Sequence, residues 1–89
     1  MILLRTKNYR KRIDFLSKKD KILLSEQEKL LAGNMYHSKL HTKKLQGFGD
    51  DKIFAFRVTR SYRGVFKLMG ENIILFTMGH RKDIYQSLK

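Results

Sequence analysis

The stretch Gly79-His80-Arg81-Lys82-Asp83-Ile84-Tyr85 follows directly on NIILFTM, residues 72–78, whose apolar run reads as a buried strand. Arg57 lies in the preceding strand-like segment IFAFRVT, and Arg63 near the start of the next one, SYRGVFKLM. Guanidinium groups grip phosphate bidentately and never lose their charge. An imidazole titrates near neutrality and can take or return a proton. A phenol donates a hydrogen bond or stacks on a base. If consecutive strands bring Arg57, Arg63, His80, Arg81 and Tyr85 to one end of a sheet, the result is a metal-free site for a phosphodiester. Taken singly, each has a structural reading as well. Arg57 fits an outward strand residue and Tyr85 a rim aromatic packed on the sheet.

A second group of residues suits binding without chemistry. Lys43, Lys44, Lys52 and Arg60 read as contacts to a phosphate backbone, which supply affinity without sequence choice. Each also fits a solvated basic face. His37 and His41 sit in a long polar connection, where a metal would need carboxylates or a third histidine beside them. Asp50-Asp51 reads as a turn ahead of a strand. Neither a metal nor a small-molecule cofactor is expected. The chain has no phosphate-binding glycine loop of the G-x-x-x-x-G-K-[ST] or G-x-G-x-x-G kind, and no serine in a nucleophile-elbow context.

The net charge decides the class of partner. Twenty Lys and Arg against eight Asp and Glu leave +12 on 89 residues, a density that repels itself and calls for a polyanion, nucleic acid first. An acidic protein or an anionic membrane surface also fits. There is no cysteine, so disulfides and thiolate zinc sites are excluded. The opening MILLRTK is too short an apolar run for a signal peptide or a membrane span, so a cytoplasmic protein is expected.

The elements that must position these residues are legible from periodicity. The length suits one domain, residues 1–89. MILLRT opens as a strand. NYRKRIDFLSKKD places Tyr9, Ile13 and Leu16 at helical spacing, with Thr6 or Asn8 as a cap. DKILLSEQEKLLAGN repeats the pattern and ends at Gly33-Asn34, a pair suited to a left-handed C-cap. Ser25 and Glu28 have capping-box spacing, but leucines on both sides carry one helix straight through them. MYHSKLHTKKLQGFGDDK has no clear period and reads as a connection with one extended segment. From Ile53 the period becomes two, with Phe54, Phe56 and Val58 on one face and Ile53, Ala55 and Arg57 on the other. Gly70-Glu71-Asn72 reads as a hairpin turn. The expected architecture is α+β. It comprises an N-terminal strand, a two-helix hairpin and a three-stranded antiparallel meander, with the helices packed on one sheet face and the arginines on the other.

Read together, LHTKKLQG, FAFRVTRSYRGVFKL and NIILFTMGHRKDIY resemble the toxin subunits of the RelE/ParE superfamily of type II toxin–antitoxin systems. The resemblance covers nearly the whole chain and rests most on Tyr62-Arg63 and on Gly79-His80-Arg81 with Tyr85. It implies a RelE-like fold. For the RelE branch it implies a ribosome-dependent endoribonuclease that cuts messenger RNA in the ribosomal A site. Its partners would be messenger and ribosomal RNA and an acidic cognate antitoxin. It further implies that Arg63 and Arg81 bind the scissile phosphate, that Tyr85 orients a nucleotide, and that Arg57 is the strand arginine before the Tyr-Arg pair. The sequence departs from the pattern where the best-known member has two lysines on the first meander strand. Ile53 and Ala55 stand there, which leaves His80 as the expected proton-transfer group. A ParE-like gyrase inhibitor of the same fold and a non-catalytic RNA-binding module are the competing readings.

Overall fold

The computed structural model describes residues 1–46 and 52–87. In chain order it runs β1 (Ile2–Arg5), α1 (Lys7–Ile13), α2 (Lys18–Gly33), a 3-10 turn (Ser38–Leu40), β2 (Lys43–Lys44), β3 (Ile53–Arg57), β4 (Tyr62–Met69), β5 (Asn72–His80) and α3 (Ile84–Ser87). The five strands form one sheet in the order β1-β5-β4-β3-β2. β3, β4 and β5 are the antiparallel meander, and β1 lies parallel to β5 at one edge. The α+β architecture is the expected one, with a strand added. The extended part of the connection is β2, which pairs Lys43 with Ala55 and Lys44 with Phe54. The turn expected at Asp50-Asp51 lies outside the described residues.

The helix boundaries follow their caps. Thr6 Oγ1 accepts from the Tyr9 amide at 3.2 Å, and Ser17 Oγ accepts from the Asp20 amide at 3.1 Å. The first helix therefore stops at Ile13, earlier than its apolar spacing suggested, and the second starts at Lys18. Leu16 continues the spacing because the intervening turn buries it in the same core. α2 runs unbroken through Ser25 and Glu28. It does not end in a left-handed cap. Asn34 is extended at φ −160°, and among the described residues only His41 and Gly70 have positive φ.

The helices cover one sheet face. Leu24 and Leu31 of α2, Tyr9 of α1 and Leu16 pack on Phe54, Phe56, Phe66, Ile73, Leu75 and Met78. Glu28 ties three elements above that core. The Tyr9 hydroxyl donates to Glu28 Oε2 at 2.8 Å, and Arg5 Nη2 pairs with Oε1 at 2.8 Å. Tyr9 is fully buried, and burial, reinforced by the Glu28 charge, pushes its phenol above its ordinary pKa.

Two local features set the phase of the sheet. The first is Gly64, paired with Phe56. A Cβ at position 64 would clash with the Phe56 ring, meeting Cε1 and lying 2.6 Å from Cζ. The second is a bulge in β5. Phe66 pairs with Leu75 but Val65 pairs with Thr77, so Phe76 is the extra residue. Before the bulge the odd residues Ile73 and Leu75 face the helices; after it the even residue Met78 does.

Gly64→Ala is expected to cost about 1–3 kcal/mol through overpacking, a loss of roughly 5–20 °C in Tm for a chain of this size. Adding Phe56→Leu should return part of that loss. Thermal melts of the three variants check this, and an unchanged Tm in Gly64→Ala would show that the ring does not rest there. A pH test follows from Tyr9. Above about pH 10 the unfolded chain releases a phenolic proton that the folded chain keeps, so stability declines as pH rises and is intact below that value. Tyr9→Phe should lose about 1.4 kcal/mol less per pH unit there. Urea unfolding at pH 9 and pH 11 measures the difference, and equal slopes would mean that Tyr9 ionises in place.

Candidate phosphodiester site

Arg57 pairs with Arg63, and Arg63 pairs with Gly79, so the three positions form one row across β3, β4 and β5. Their neighbours on the same face, Ile53, Ala55 and Val65, belong to a second small core away from α1 and α2. The row is therefore on the face opposite the helices. Arg63 is held from behind. Its Nη1 donates to the carbonyls of Thr59, Arg60 and Tyr62 at 2.9, 3.2 and 3.1 Å, all in or beside the β3–β4 turn. Those bonds use one nitrogen, so the fork of Nε and Nη2 can meet an anion side-on.

Arg81 joins the cluster from the end of β5. Its amide donates to the Ser61 carbonyl at 2.8 Å, which ties the strand end to the same turn. Tyr85 arrives on α3, exposed. α3 is seated by Ile84, which is buried in the second core and lies over Gly79; a Cβ there would meet Ile84 Cδ1 at 3.2 Å. The four groups act on one another. Burial first, then the Arg57 charge, holds the Arg63 guanidinium below its ordinary pKa; Tyr85 opposes this and Arg81 adds to it. Among the described residues no carboxylate forms an ion pair with Arg57, Arg63 or Arg81, and the described salt bridge, Arg5 with Glu28, is on the other face. The buried Nε of Arg57 has no hydrogen-bond partner. Three clustered cations with no carboxylate partner among the described residues can hold an anion.

Other residues singled out in the sequence fall elsewhere. His80 pairs with Tyr62, one position out of phase with Arg63 and Gly79, so its ring points to the helix face. There it stands edge-on to Tyr62 at 6.0 Å and lines a cavity of about 200 Å³ with Arg12 and Phe15. Its Nδ1 accepts from the Lys82 amide at 3.1 Å. The bulge at Phe76 is the reason, because unbroken alternation from Ile73 would have turned His80 toward the arginines. β2 splits its two lysines in the same way. Lys43, opposite Ala55, shares the arginine face, and Lys44, opposite Phe54, does not. Lys52 precedes β3 at the end remote from Arg57, about 17 Å along the strand. Arg60 is exposed in the turn that anchors Arg63.

The structure also brings in a residue that the sequence reading left in a loop. His41 Nε2 lies 3.4 Å from Arg57 Nη1. The signal available in the sequence was Lys43-Lys44-Leu45 as a short edge strand, which would have extended the row to His41. His37 has a structural task, since its Nδ1 accepts from the Lys39 amide at 3.2 Å and caps the 3-10 turn. Among the described residues no group of three His, Asp or Glu is placed to hold a metal ion. No described helix is long and apolar enough to cross a membrane.

No family model and no curated protein sequence matches the chain. Solved structures do match its fold. A chain of the archaeal RelE–RelB complex from Pyrococcus horikoshii superposes with a TM-score of 0.76 at 20% identity, over 90% of this chain and 93% of that one. A chain of the RelB–RelE antitoxin–toxin complex from Methanococcus jannaschii gives 0.76 at 22% identity, over 97% and 99%. A chain of the DinJ–YafQ toxin–antitoxin complex from E. coli gives 0.75 at 17% identity, over 93% and 94%. With a five-stranded mixed sheet and its helices in the same order over nine-tenths of its length or more, the chain has the RelE-like toxin fold.

Proposed function

We propose that this chain is the toxin of a type II toxin–antitoxin system and a ribosome-dependent endoribonuclease acting on messenger RNA. The observation that carries the reading is the row of Arg57 and Arg63, joined by Arg81 and Tyr85, on one sheet face with no described carboxylate to neutralise it. The fold likeness raises the prior for this reading without supplying the chemistry.

The RNA supplies its own nucleophile, the 2′-hydroxyl beside the scissile phosphate. Attack on phosphorus builds negative charge on the phosphorane oxygens. Arg63, fixed by three carbonyls before substrate arrives, meets that charge without reorganising, and Arg81 adds a second guanidinium. Arg57, beside Arg63 in the same row, adds its charge to the field at that anion. Tyr85 presents an exposed ring on which a nucleotide stacks. Lys43 on the same face and Arg60 in the adjacent turn extend the basic surface to neighbouring phosphates. The products are a 2′,3′-cyclic phosphate and a 5′-hydroxyl. The charge of +12 fits a cytoplasmic partner set of messenger RNA, ribosomal RNA in the A site and an acidic antitoxin that covers the arginines.

Single-turnover cleavage on programmed ribosomes at saturating protein tests the site apart from binding. Arg63→Ala and Arg81→Ala should each slow cleavage by about 10²–10³, or roughly 3–4 kcal/mol, with ribosome binding retained. Wild-type rates in both would remove the proposed site. An intact messenger together with inhibited gyrase supercoiling would favour the ParE-like reading. The apo protein gives a separate test. Arg57→Met removes one of three clustered charges and an unpaired buried donor, so Tm should rise by a few degrees at low salt, and the gain should shrink as salt screens the cluster. A fall in Tm would show that Arg57 serves the sheet and not a ligand.

A further inference from the structure

Among its described residues the structure places one imidazole on the arginine face, and it is not the histidine beside Arg81. We infer that His41 is the general base that takes the proton of the attacking 2′-hydroxyl. This role rests on the ribonuclease reading above.

Three independent observations converge on His41. The first is register. Lys43 pairs with Ala55, so His41, two residues before β2 begins, lies beside Arg57 at the end of the row that Arg57, Arg63 and Gly79 form across three strands. The second is contact. Arg57 Nη1 and His41 Nε2 lie 3.4 Å apart, and since a guanidinium only donates, the lone pair of Nε2 faces Arg57 in a long, weak contact that a phosphate drawing on Arg57 would release. The third is backbone. His41 has φ 48° and ψ 42°, and it is the one non-glycine residue among those described with a positive φ. A left-handed residue with a Cβ costs of the order of 1 kcal/mol, and such outliers gather where a side chain must be aimed. The surroundings hold the conformation. The 3-10 turn before it is closed by the His37 cap, and Thr42 Oγ1 donates to the Met35 carbonyl just after it.

The charged groups around His41 are basic: Arg57 on β3, Arg63 one strand further, Lys43 two residues along β2, and Lys39 in the preceding turn. Among the described residues its side chain bonds to no carboxylate. An RNA whose scissile ribose lies on the β2 side of a phosphate bound by Arg57 and Arg63 would bring its 2′-hydroxyl beside His41. The step balances without a cofactor. The 2′-O–H bond breaks and its proton passes to His41 Nε2. The 2′-O–P bond forms, the P–O5′ bond breaks, and O5′ takes a proton from water. The imidazolium then returns its proton to solvent. His80, on the opposite face beside Tyr62, takes no part.

The test is the pH dependence of single-turnover cleavage on programmed ribosomes for wild type, His41→Asn, His41→Gly, His80→Asn and Arg63→Ala. Asparagine and glycine both accept the left-handed backbone, so melts should match wild type or exceed it. His41→Asn is expected to cleave about 10²–10⁴ slower and to lose the acid limb of the profile. Added imidazole should restore part of the rate in His41→Gly and none in Arg63→Ala. His80→Asn should stay within a few-fold of wild type. The inference is overturned if His41→Asn keeps the wild-type rate. It is overturned equally if that variant is slow but retains the acid limb and imidazole rescues nothing, which would make His41 structural. In both cases a slow Arg63→Ala leaves the ribonuclease reading standing. A wild-type protein that never cuts removes that reading and the role of His41 together.

Discussion

The ring of Phe56 occupies the space that a side chain at position 64 would need, and the placement of the arginines depends on that contact. β3 and β4 meet in a register that sets Phe56 against Gly64 and Arg57 against Arg63. A slip of one residue would drive the ring into the Cβ of Arg63 or Val65. It would also exchange the two faces of β4, sending Arg63 into the aromatic core under α2. The glycine thus specifies the pairing by what it lacks. Phe56 lies tilted against Phe66 at 6.0 Å, and Phe66 stacks on Phe54 at 5.3 Å, so the register is defended by an aromatic layer on the helix face. The far face inherits its geometry from that layer.

On that far face the requirements of stability and of chemistry oppose each other. Three guanidiniums side by side repel, and burial raises the cost of the Arg63 charge. The fold offsets part of this by giving Arg63 the carbonyls of its own turn, which are dipoles that add no negative charge. A carboxylate partner would neutralise the cluster more fully and would also compete with phosphate. Carbonyl anchoring fixes the position and leaves the charge for the ligand, which is the preorganisation that transition-state stabilisation needs. The apolar patch beside it, Ile53, Ala55 and Val65 under Ile84, seats α3, and with it Tyr85.

Much of this was legible in the sequence because periodicity reports on faces. The alternation from Ile53 to Val58 separates the aromatic core from the arginine face correctly, and the leucine spacing of α2 gives its buried stripe. What stayed hidden follows from local events that leave little trace in a pattern. The β5 bulge adds one residue within an apolar run, NIILFTM, where isoleucine, leucine, phenylalanine and methionine suit either face, so the change of phase cannot be seen. β2 is two residues of lysine, too short to show a period. The end of α1 was misplaced because Leu16 keeps helical spacing while sitting in a turn, and the Ser17 cap decides the boundary. The Arg5–Glu28–Tyr9 tie joins residues far apart in the chain, which single-sequence reading does not detect.

The bulge has a further consequence for the site. With unbroken alternation His80 and Met78 would stand on the arginine face and Gly79 would face α1. One extra residue at Phe76 reverses this. Met78 then fills the main core, and Gly79 turns to the far face, where its missing side chain lets Ile84 close down and bring Tyr85 to Arg63. An imidazole at position 80 is the group displaced by that exchange, and it packs against Tyr62 over α1. The arginine face gains an aromatic platform at one end of its row and loses a histidine there. The other end of the row is where the backbone turns left-handed at His41 and sets a ring against Arg57. A bulge on one edge of the site and a left-handed residue on the other are both departures from regular geometry. Both act by changing which side chain faces the arginines, while the regular strands between them hold Arg57 and Arg63 at fixed spacing.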